Sequence, residues 1–180
     1  SPSMLKIAKL KARKAKIRFI LGDMTRLEKV VPKGQKFDAA ICLGHVFQSL
    51  ITDKGVTAFF NGLHKILKRD SLFVFNARNA KKIKEEYLNT LRLEHMINEE
   101  KLQLITLAYN TRDLQDPNVM VWKPIYLMKE NNKVDLQIRE HKLRWFELSA
   151  LKKIILENGF EITAIYSGPM KEKFREDEHT

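Results

Sequence analysis

Residues Phe37 to Leu50 read FDAAICLGHVFQSL, and this stretch decides the fold class. Its first seven residues, FDAAICL, are almost continuously apolar, and Gly44 follows them directly. A short apolar run that ends at a turn residue is typical of a parallel strand that is buried on both faces. The pattern therefore predicts a β-strand over Phe37–Leu43 in a sheet that helices cover.

The segments on either side of this strand alternate between strand and helix patterns. Apolar runs predict strands at Ile17–Leu21 and Ser71–Phe75, and helical spacing predicts helices at Asp53–Leu67 and Ala80–Leu91. This alternating order indicates a parallel sheet. The apolar stripe expected on the first of these helices consists of Val56, Phe59, Phe60, Leu63, Ile66 and Leu67.

The second half of the chain has a different pattern, in which apolar and polar residues alternate. Three such runs, separated by turn-forming residues, cover Leu102–Thr111, Val119–Lys129 and Val134–Phe146. Period-two alternation with turns between the runs predicts an antiparallel meander. Pro124 lies inside the middle run and lacks a backbone N–H, so it is expected at an edge or a bulge.

The end of the chain returns to the first pattern. Helical spacing predicts a helix at Glu147–Asn158, and Gly159 follows it as a residue suited to a helix C-terminus. The next apolar run, FEITAIY, predicts a last strand at Phe160–Tyr166.

Basic residues are concentrated near the N-terminus. Residues 1–36 contain 11 Lys and Arg against Asp23 and Glu28, so they carry +9 of the chain's net charge of +11. Ser1 as a helix cap and Pro2 at the first helical position predict a helix here, with lysines on one face. We interpret this face as solvated, with an RNA or anionic-partner surface as the alternative. A cap as the first residue, with no initiating Met, also predicts that the front of the protein is missing.

The composition excludes several classes of protein. The chain has 180 residues, 44% hydrophobic and 31% charged, which is typical of about one globular domain. No apolar run approaches the roughly 20 residues of a membrane helix. The single cysteine, Cys42, excludes an intramolecular disulfide and predicts a cytoplasmic protein. No metal is expected, because the five histidines show no ligand spacing: His45, His64, His95, His141 and His179.

Five motifs, taken in order, resemble the class I S-adenosylmethionine-dependent methyltransferases. They are SPSMLKIAKLKA (1–12), IRFILGDM (17–24), FDAAICLGHVFQSL (37–50), LHKILKRDSLFVFNARN (63–79) and RWFELSALKKIILENGFEITAIYSG (144–168). The meander is similar to the branch of glycine/sarcosine and aminosugar N-methyltransferases, in which an added antiparallel sheet covers the substrate. The terminal YSGP (166–169) resembles the aminosugar members in particular.

The resemblance implies the fold class and its gaps. It implies an α/β, Rossmann-like sheet with an antiparallel insertion at 102–146, in a single domain over 1–180 that is incomplete at its N-terminus. The family's glycine-rich loop has no counterpart here, and neither do its strands 1 and 2. In the family's strand order, 3-2-1-4-5-7-6, these two strands would separate Ile17–Leu21 from Phe37–Leu43. We therefore expect Ile17–Leu21 to pair elsewhere, or a missing segment or a partner chain to fill the gap.

The resemblance also implies the site residues. Those implied in cofactor binding are Asp23, Met24, Leu43, Gly44, His45 and Gln48. Those implied in catalysis are His45, His141 and Tyr109, and those on the substrate side are Asn76, Arg78, Trp122 and Arg144. The Asp23 carboxylate would accept a hydrogen bond from the adenine amino group, and Gly44 would let the backbone approach the cofactor. Two alternatives stay open, namely that Asp23 caps the next turn and that His45 is structural.

The function implied is methyl transfer from S-adenosylmethionine to a small molecule, at nitrogen, by in-line displacement. The alternatives are an RNA methyltransferase or RNA-binding relative, and a non-catalytic methyltransferase-like fragment or subunit. The expected partners are a small-molecule methyl acceptor and either a second copy in a homodimer or a chain that supplies the missing strands. No membrane is expected, and nucleic acid is disfavoured. The isolated chain is expected to bind the cofactor weakly.

Overall fold

The computed structural model describes residues 1–12, 15–82, 85–100, 102–131 and 133–174. The chain forms two compact units, and each consists of two separate segments. Unit 1 comprises Ser1–Cys42 and Thr52–Phe75, and unit 2 comprises Leu43–Ile51 and Asn76–Thr180. The assignment of residues 1–180 to a single domain stays a prediction.

Unit 1 is built around a β-α-β motif. Its helices are α1 (Pro2–Lys11), α2 (Leu27–Val30) and α3 (Asp53–Ile66), and its strands are β1 (Phe37–Cys42) and β2 (Leu67–Phe75). The two strands pair in parallel, with Ala40 opposite Phe73 and Cys42 opposite Phe75. This arrangement confirms the parallel sheet that the sequence predicts.

Helix α3 covers one face of this sheet. Thr52 caps its N-terminus, because its hydroxyl accepts a hydrogen bond from the Gly55 amide at 3.1 Å and so satisfies a free helical N–H. The whole predicted apolar stripe of α3, including Leu67 just beyond it, is buried. The Phe73 ring of β2 lies edge-on to Phe59 and Phe60, with centroid separations of 5.7 and 6.3 Å. The predicted helix is therefore confirmed to within one residue.

The opposite face of the β1–β2 sheet is exposed. Ile41, Leu72 and Val74 point away from α3 and are accessible to solvent. The prediction that the central strand is buried on both faces is therefore wrong for the residues that the structure describes. The physical reason is that this sheet has two strands and one covering helix, whereas burial on both faces needs a helix layer on each side.

The N-terminal segment forms α1 but no strand. The helix buries no residue, in agreement with a solvated basic face, and Arg13 and Lys14 lie outside the described residues. Residues Ile17–Leu21 are described but belong to no ladder, so the strand predicted there is absent. A β-strand exists only through its hydrogen-bonded neighbour. The neighbour that the family would provide for Ile17–Leu21 is not present in this chain. Among the described residues, Ile17–Leu21 also pairs with no other strand.

Unit 2 contains a five-stranded antiparallel sheet. Its strands are β3 (Leu91–Asn98), β4 (Leu102–Arg112), β5 (Val119–Glu130), β6 (Lys133–Ile138) and β7 (His141–Arg144). Strands β3 to β6 follow one another in space, and β7 pairs with β5 beyond the end of β6. The predicted antiparallel sheet is confirmed, and it begins one strand earlier than expected, at Leu91.

Pro124 lies where β6 and β7 meet. On one side of β5 it stands opposite Ala108 of β4. On the other side, Ile125 pairs with Ile138 of β6 and Trp122 pairs with His141 of β7. The proline has no N–H to donate, so it coincides with the break between the two short strands, which replaces the single run predicted over Val134–Phe146.

Two further predicted elements are wrong. Residues Ala80–Leu91, expected to be a helix, form 3₁₀ turns at Ala80–Lys82 and Glu85–Tyr87 before β3 begins, and residues 83–84 lie outside the described part. Asn89, with φ of 56°, stops any helix there, and pairing with β4 takes up Leu91. Residues Phe160–Tyr166 form no strand, because no neighbouring strand is present in the described residues to pair with them.

The last helix agrees with the sequence. It is α4 (Leu148–Glu157), one residue shorter at each end than predicted, and Gly159 follows it with φ of 76°. No helix in the described part of the chain is long and apolar enough to cross a membrane. The described residues also contain no group of three or more His, Cys, Asp or Glu side chains that could hold a metal ion.

Candidate functional site

The chain enters unit 2 through a left-handed turn at the end of β1. Gly44 has φ of 73° and His45 has φ of 61°. This region is open to glycine but uncommon for a residue with a side chain, so His45 needs support from its surroundings. The turn leads directly into a 3₁₀ helix at Val46–Ser49. Leu43 and Gly44 are exposed, whereas Phe47 and Gln48 are fully buried.

Asn76 supplies the support that His45 needs. Asn76 is the first residue after β2, and its side-chain Oδ1 accepts a hydrogen bond from the His45 backbone N–H at 3.2 Å. Its Nδ2 lies 3.3 Å from Nδ1 of the His45 ring. One amide therefore contacts both the backbone and the ring of the histidine.

This double contact determines the tautomer of His45. A backbone N–H can only donate, so the Asn76 side chain must direct its oxygen there and its NH₂ group toward the ring. Nδ1 then accepts from Asn76, and the proton of the neutral ring is on Nε2. His45 thus presents an N–H donor, and not a free lone pair, at the far side of its ring.

The surroundings keep His45 neutral. Partial burial of the ring lowers its pKa, and the positive charge of Arg78 lowers it further. Arg78 is exposed, and its guanidinium lies over the Trp145 ring at 5.7 Å from the centroid. This aromatic contact places a fixed cation beside the neutral imidazole.

Gln48 connects this turn to β7. Its Nε2 donates to the Arg144 carbonyl at 3.2 Å, and its Oε1 is buried without a hydrogen-bond partner among the described residues. The Arg144 guanidinium lies 5.0 Å from the centroid of the Phe146 ring, which packs against Phe47 at 5.4 Å. The structure therefore brings together five of the predicted site residues in unit 2: His45, Gln48, Asn76, Arg78 and Arg144.

His141 and Trp122 form a second pair. They are directly opposite each other on β7 and β5, and their rings are stacked with centroids 5.3 Å apart. Tyr109 does not join them, because Trp122 is opposite Asn110, and side chains alternate between the two faces of a strand. Tyr109 lies on the other face of the sheet, where its hydroxyl is 3.4 Å from Oδ1 of Asn89.

Asp23 and Met24 belong to unit 1. Asp23 Oδ1 accepts hydrogen bonds from the backbone N–H and the hydroxyl of Thr25, both at 2.8 Å. These hydrogen bonds, the backbone one first, hold the pKa of Asp23 below its usual value, so that this exposed carboxyl is ionised at neutral pH. Asp23 thus caps the following turn, which is the alternative role that the sequence left open. Its charged carboxylate remains exposed at the surface.

Sequence reasoning did not identify several groups near these residues. Trp145 supports Arg78, and its indole Nε1 is buried without a partner in the described part of the chain. The side-chain oxygen of Asn110, which is opposite Trp122 in the sheet, is also unpaired there. The signal for Asn110 was available, since it is a polar residue at an inward position of the LAYNT run.

A separate open cleft of about 700 Å³ is lined by Asn89, Thr111, Arg112, Lys123, Lys142 and neighbouring residues, and by none of the predicted site residues.

Comparisons with known proteins agree with this architecture. Residues 1–75 match the family model of a methyltransferase domain. A search of curated proteins finds no match. An S-adenosylmethionine-dependent methyltransferase from Clostridium acetobutylicum is similar in structure, with a TM-score of 0.80 and 16% identity, over 98% of this chain and 68% of that one.

Two further solved structures are similar. DesVI of Streptomyces venezuelae has a TM-score of 0.73 and 14% identity, over 96% of this chain and 68% of its own. CalS10, an amino pentose methyltransferase from Micromonospora echinaspora solved with bound S-adenosylmethionine, has a TM-score of 0.66 and 18% identity, over 88% and 62%. These structures confirm the predicted fold. The match of residues 1–75 confirms the predicted resemblance, and the predicted class of enzyme and its cofactor agree with both findings.

Proposed function

We propose that this chain belongs to an enzyme that transfers a methyl group from S-adenosylmethionine to a nitrogen atom of a small molecule that carries an anionic group. The observation that carries the proposal is the double contact between Asn76 and His45. These residues directly follow the ends of two parallel strands, which is where open α/β sheets bind their ligands. The same edge carries the exposed backbone of Gly44 and the guanidinium of Arg78.

Residues of each unit, taken by itself, fit groups of S-adenosylmethionine. Bound there, the cofactor would supply a methyl group on a sulfonium. Asp23 offers an ionised acceptor for an amino group, and the neighbouring Met24 amide follows it in the chain. No neighbouring atom lies within 4 Å of where a Cβ on Gly44 would stand, so the backbone is open to a ligand. In unit 2, Leu43 precedes Gly44 in the chain, and Gln48 holds a buried amide oxygen without a partner among the described residues.

The substrate side carries positive charge. Arg78 lies over Trp145 and Arg144 lies over Phe146, so both guanidinium groups rest on aromatic rings. A guanidinium recognises carboxylate and phosphate through paired hydrogen bonds. This supports a methyl acceptor with an anionic group, which Arg78 would bind next to the N–H donor of His45.

The chemistry at nitrogen requires an unprotonated amine as nucleophile, and positioning supplies most of the acceleration. His45 cannot take the proton through Nε2, because that atom already carries one. We assign the base to His141, whose ring stacks on Trp122 and remains exposed. Tyr109, on the opposite face of the sheet, has no part in this assignment.

The test uses the protein that contains this chain, with radiolabelled S-adenosylmethionine. The acceptors are matched sets of amines and alcohols, with and without a carboxylate or phosphate group. We expect label on the anionic amines and none on the alcohols. Label on oxygen, or equal transfer to neutral and anionic amines, would overturn the corresponding part of the proposal.

Two variants separate the histidine roles. His141→Gln should mainly lower kcat, whereas His45→Gln should mainly raise KM. His95→Gln is the matched control, since His95 is an exposed histidine on β3. RNA as acceptor is the competing function, and salt-dependent RNA binding with label in RNA would replace our proposal.

A further inference from the structure

His141, to which we assign the base, is held by few contacts. It is the first residue of β7, a strand of four residues, and its side chain is exposed. In the described part of the chain, no group forms a hydrogen bond or an ion pair with its ring. An exposed side chain without such contacts samples several rotamers, and a base must be in position to take a proton. The position of His141 therefore depends on the contact that remains.

That contact is the stack of the His141 ring on Trp122. The two residues are directly opposite each other on β7 and β5, their ring centroids are 5.3 Å apart, and their ring planes differ by 30°. This separation lies within the range of roughly 4.5–7 Å at which aromatic pairs attract each other. The stack restricts the imidazole to the rotamer that places it on the indole.

Trp122 itself is fixed by the sheet. Strand β5 is paired on both sides at this position, with Asn110 of β4 opposite Trp122 on one side and His141 on the other. Trp122 is half-buried, and the residues two positions away on the same face, Met120 and Pro124, are buried. The indole is therefore a rigid surface for the histidine.

A stack holds an imidazole without using its nitrogens. His45 shows the opposite case, since Asn76 contacts Nδ1 and thereby fixes the ring proton on Nε2. Trp122 contacts the face of the His141 ring, so this contact uses neither Nδ1 nor Nε2 at the ring edge. A general base needs a fixed position and a nitrogen that is open to the substrate, and the stack is compatible with both.

We propose that Trp122 is the positioning residue of His141 in the methyl transfer. The inference rests on the proposed function, in which His141 takes the proton from the amine. That proton goes to a ring nitrogen of His141, and Trp122 neither gains nor loses one. Trp122 acts through the histidine and contacts no reacting atom in this role, which replaces the substrate-side role that the resemblance implies.

The test is a pair of substitutions at Trp122 in the protein that contains this chain, assayed with radiolabelled S-adenosylmethionine and the anionic amines. Trp122→Leu removes the stack and keeps an apolar side chain, so it should lower kcat about 10- to 100-fold without raising KM. Trp122→Phe keeps an aromatic face and should retain kcat within about three-fold. Tyr126→Leu is the matched control and should change neither constant, because Tyr126 shares the face of Trp122 on β5 but contacts Arg139.

A double-mutant cycle separates positioning from substrate binding. In the His141→Gln background, Trp122→Leu should lower kcat no further, because the residue through which Trp122 acts is already removed. A further loss of kcat, or a raised KM, would assign Trp122 to the substrate and overturn the inference.

The same cycle distinguishes this inference from the proposed function. If Trp122→Leu had the wild-type kcat while His141→Gln was impaired, the inference would be wrong and the proposed base would stand. If His141→Gln kept the wild-type kcat, the proposed base would be wrong, and the role of Trp122 would fall with it.

NMR tests the stack without any substrate. The ring current of the indole should shift the Cε1–H and Cδ2–H signals of His141 in the wild type, and Trp122→Leu should remove this shift. The signals of His95, on β3, are the control and should not change. Identical His141 signals in the wild type and Trp122→Leu would overturn the inference.

Circular dichroism with thermal melting verifies that each variant is folded. If Trp122→Leu did not fold, the wild-type spectrum would decide, because His141 signals at the positions of an unstacked histidine would overturn the inference.

Discussion

The side chain of Asn76 holds His45 at two points, with Oδ1 3.2 Å from the backbone nitrogen and Nδ2 3.3 Å from the ring nitrogen Nδ1. The first contact supports a left-handed backbone that a histidine rarely adopts, and the second sets the position of the ring proton. The side-chain amide of Asn76, the first residue after β2, therefore sets both the backbone conformation and the ring tautomer of His45.

Replacing Asn76 by aspartate should raise the pKa of His45. A carboxylate can still accept from the backbone N–H, but it favours a proton on Nδ1 and stabilises the imidazolium by its charge. The change is measurable by NMR titration of the His45 Cε1–H signal.

Asn76→Ala serves as the control for this change. It removes both contacts without adding charge, so it should free the tautomer without raising the pKa as aspartate does. An unchanged titration in Asn76→Asp would contradict the assigned contact between Asn76 and Nδ1.

His45 should also make stability depend on pH. Because burial and Arg78 lower the pKa of the folded histidine below the ordinary value of 6.5, the unfolded chain binds a proton more readily. The contribution of the neutral ring is therefore complete above pH 6.5 and is lost as the pH falls below it, toward the lowered pKa. Urea midpoints at about pH 7.5 and 5.5 should differ more in the wild type than in His45→Gln. If His95→Gln reduced the difference equally, the effect would not belong to His45.

Asp23→Ala should weaken the binding of S-adenosylmethionine by about 1–3 kcal/mol, since a hydrogen-bonding group of the ligand would lose its acceptor. Calorimetric titration of the protein that contains this chain measures the loss. Asp23→Asn is the matched variant, because its amide oxygen can still cap the Thr25 N–H while the charge is removed. An affinity that neither substitution changes would exclude Asp23 from the site.

Phe60→Ala should destabilise unit 1 by about 3–5 kcal/mol, the usual cost of removing a large buried aromatic side chain. Phe60 is fully buried, and its ring is perpendicular to Phe73. Val74→Ala is the control, because Val74 lies next to Phe73 on the exposed face of β2, and it should cost far less. Comparable losses in chemical denaturation for the two variants would show that the core has been assigned to the wrong face.

The sequence predicted helix α3 well, because its apolar spacing is long and regular and its cap is local. It could not predict which sheet faces are covered, since that depends on how many strands and helices meet. Residues 80–91 show the same limit, because pairing with β4 outweighed a helical pattern. Local propensity is a weak guide wherever tertiary pairing decides.

The candidate site, too, could be predicted only in part from the sequence. His45 and Asn76 were each implied as site residues by the family resemblance. Their contact was not, since it depends on the register that sets β1 beside β2. Tyr109 was grouped with His141, although its face is decided by its pairing with Lys123. The register shift between β3 and β4, at Leu93 to His95, leaves no mark in the sequence pattern.

The nine residues from Leu43 to Ile51 lie in sequence between β1 and α3 of unit 1, yet they are packed in unit 2. They form the first part of the crossover connection of the β-α-β motif, before α3. If unit 2 melted, this connection would become a free loop, and unit 1 would bear the entropy of closing it. The stabilities of the two units are thus linked through chain connectivity, and no single cut in the backbone would separate them with both intact.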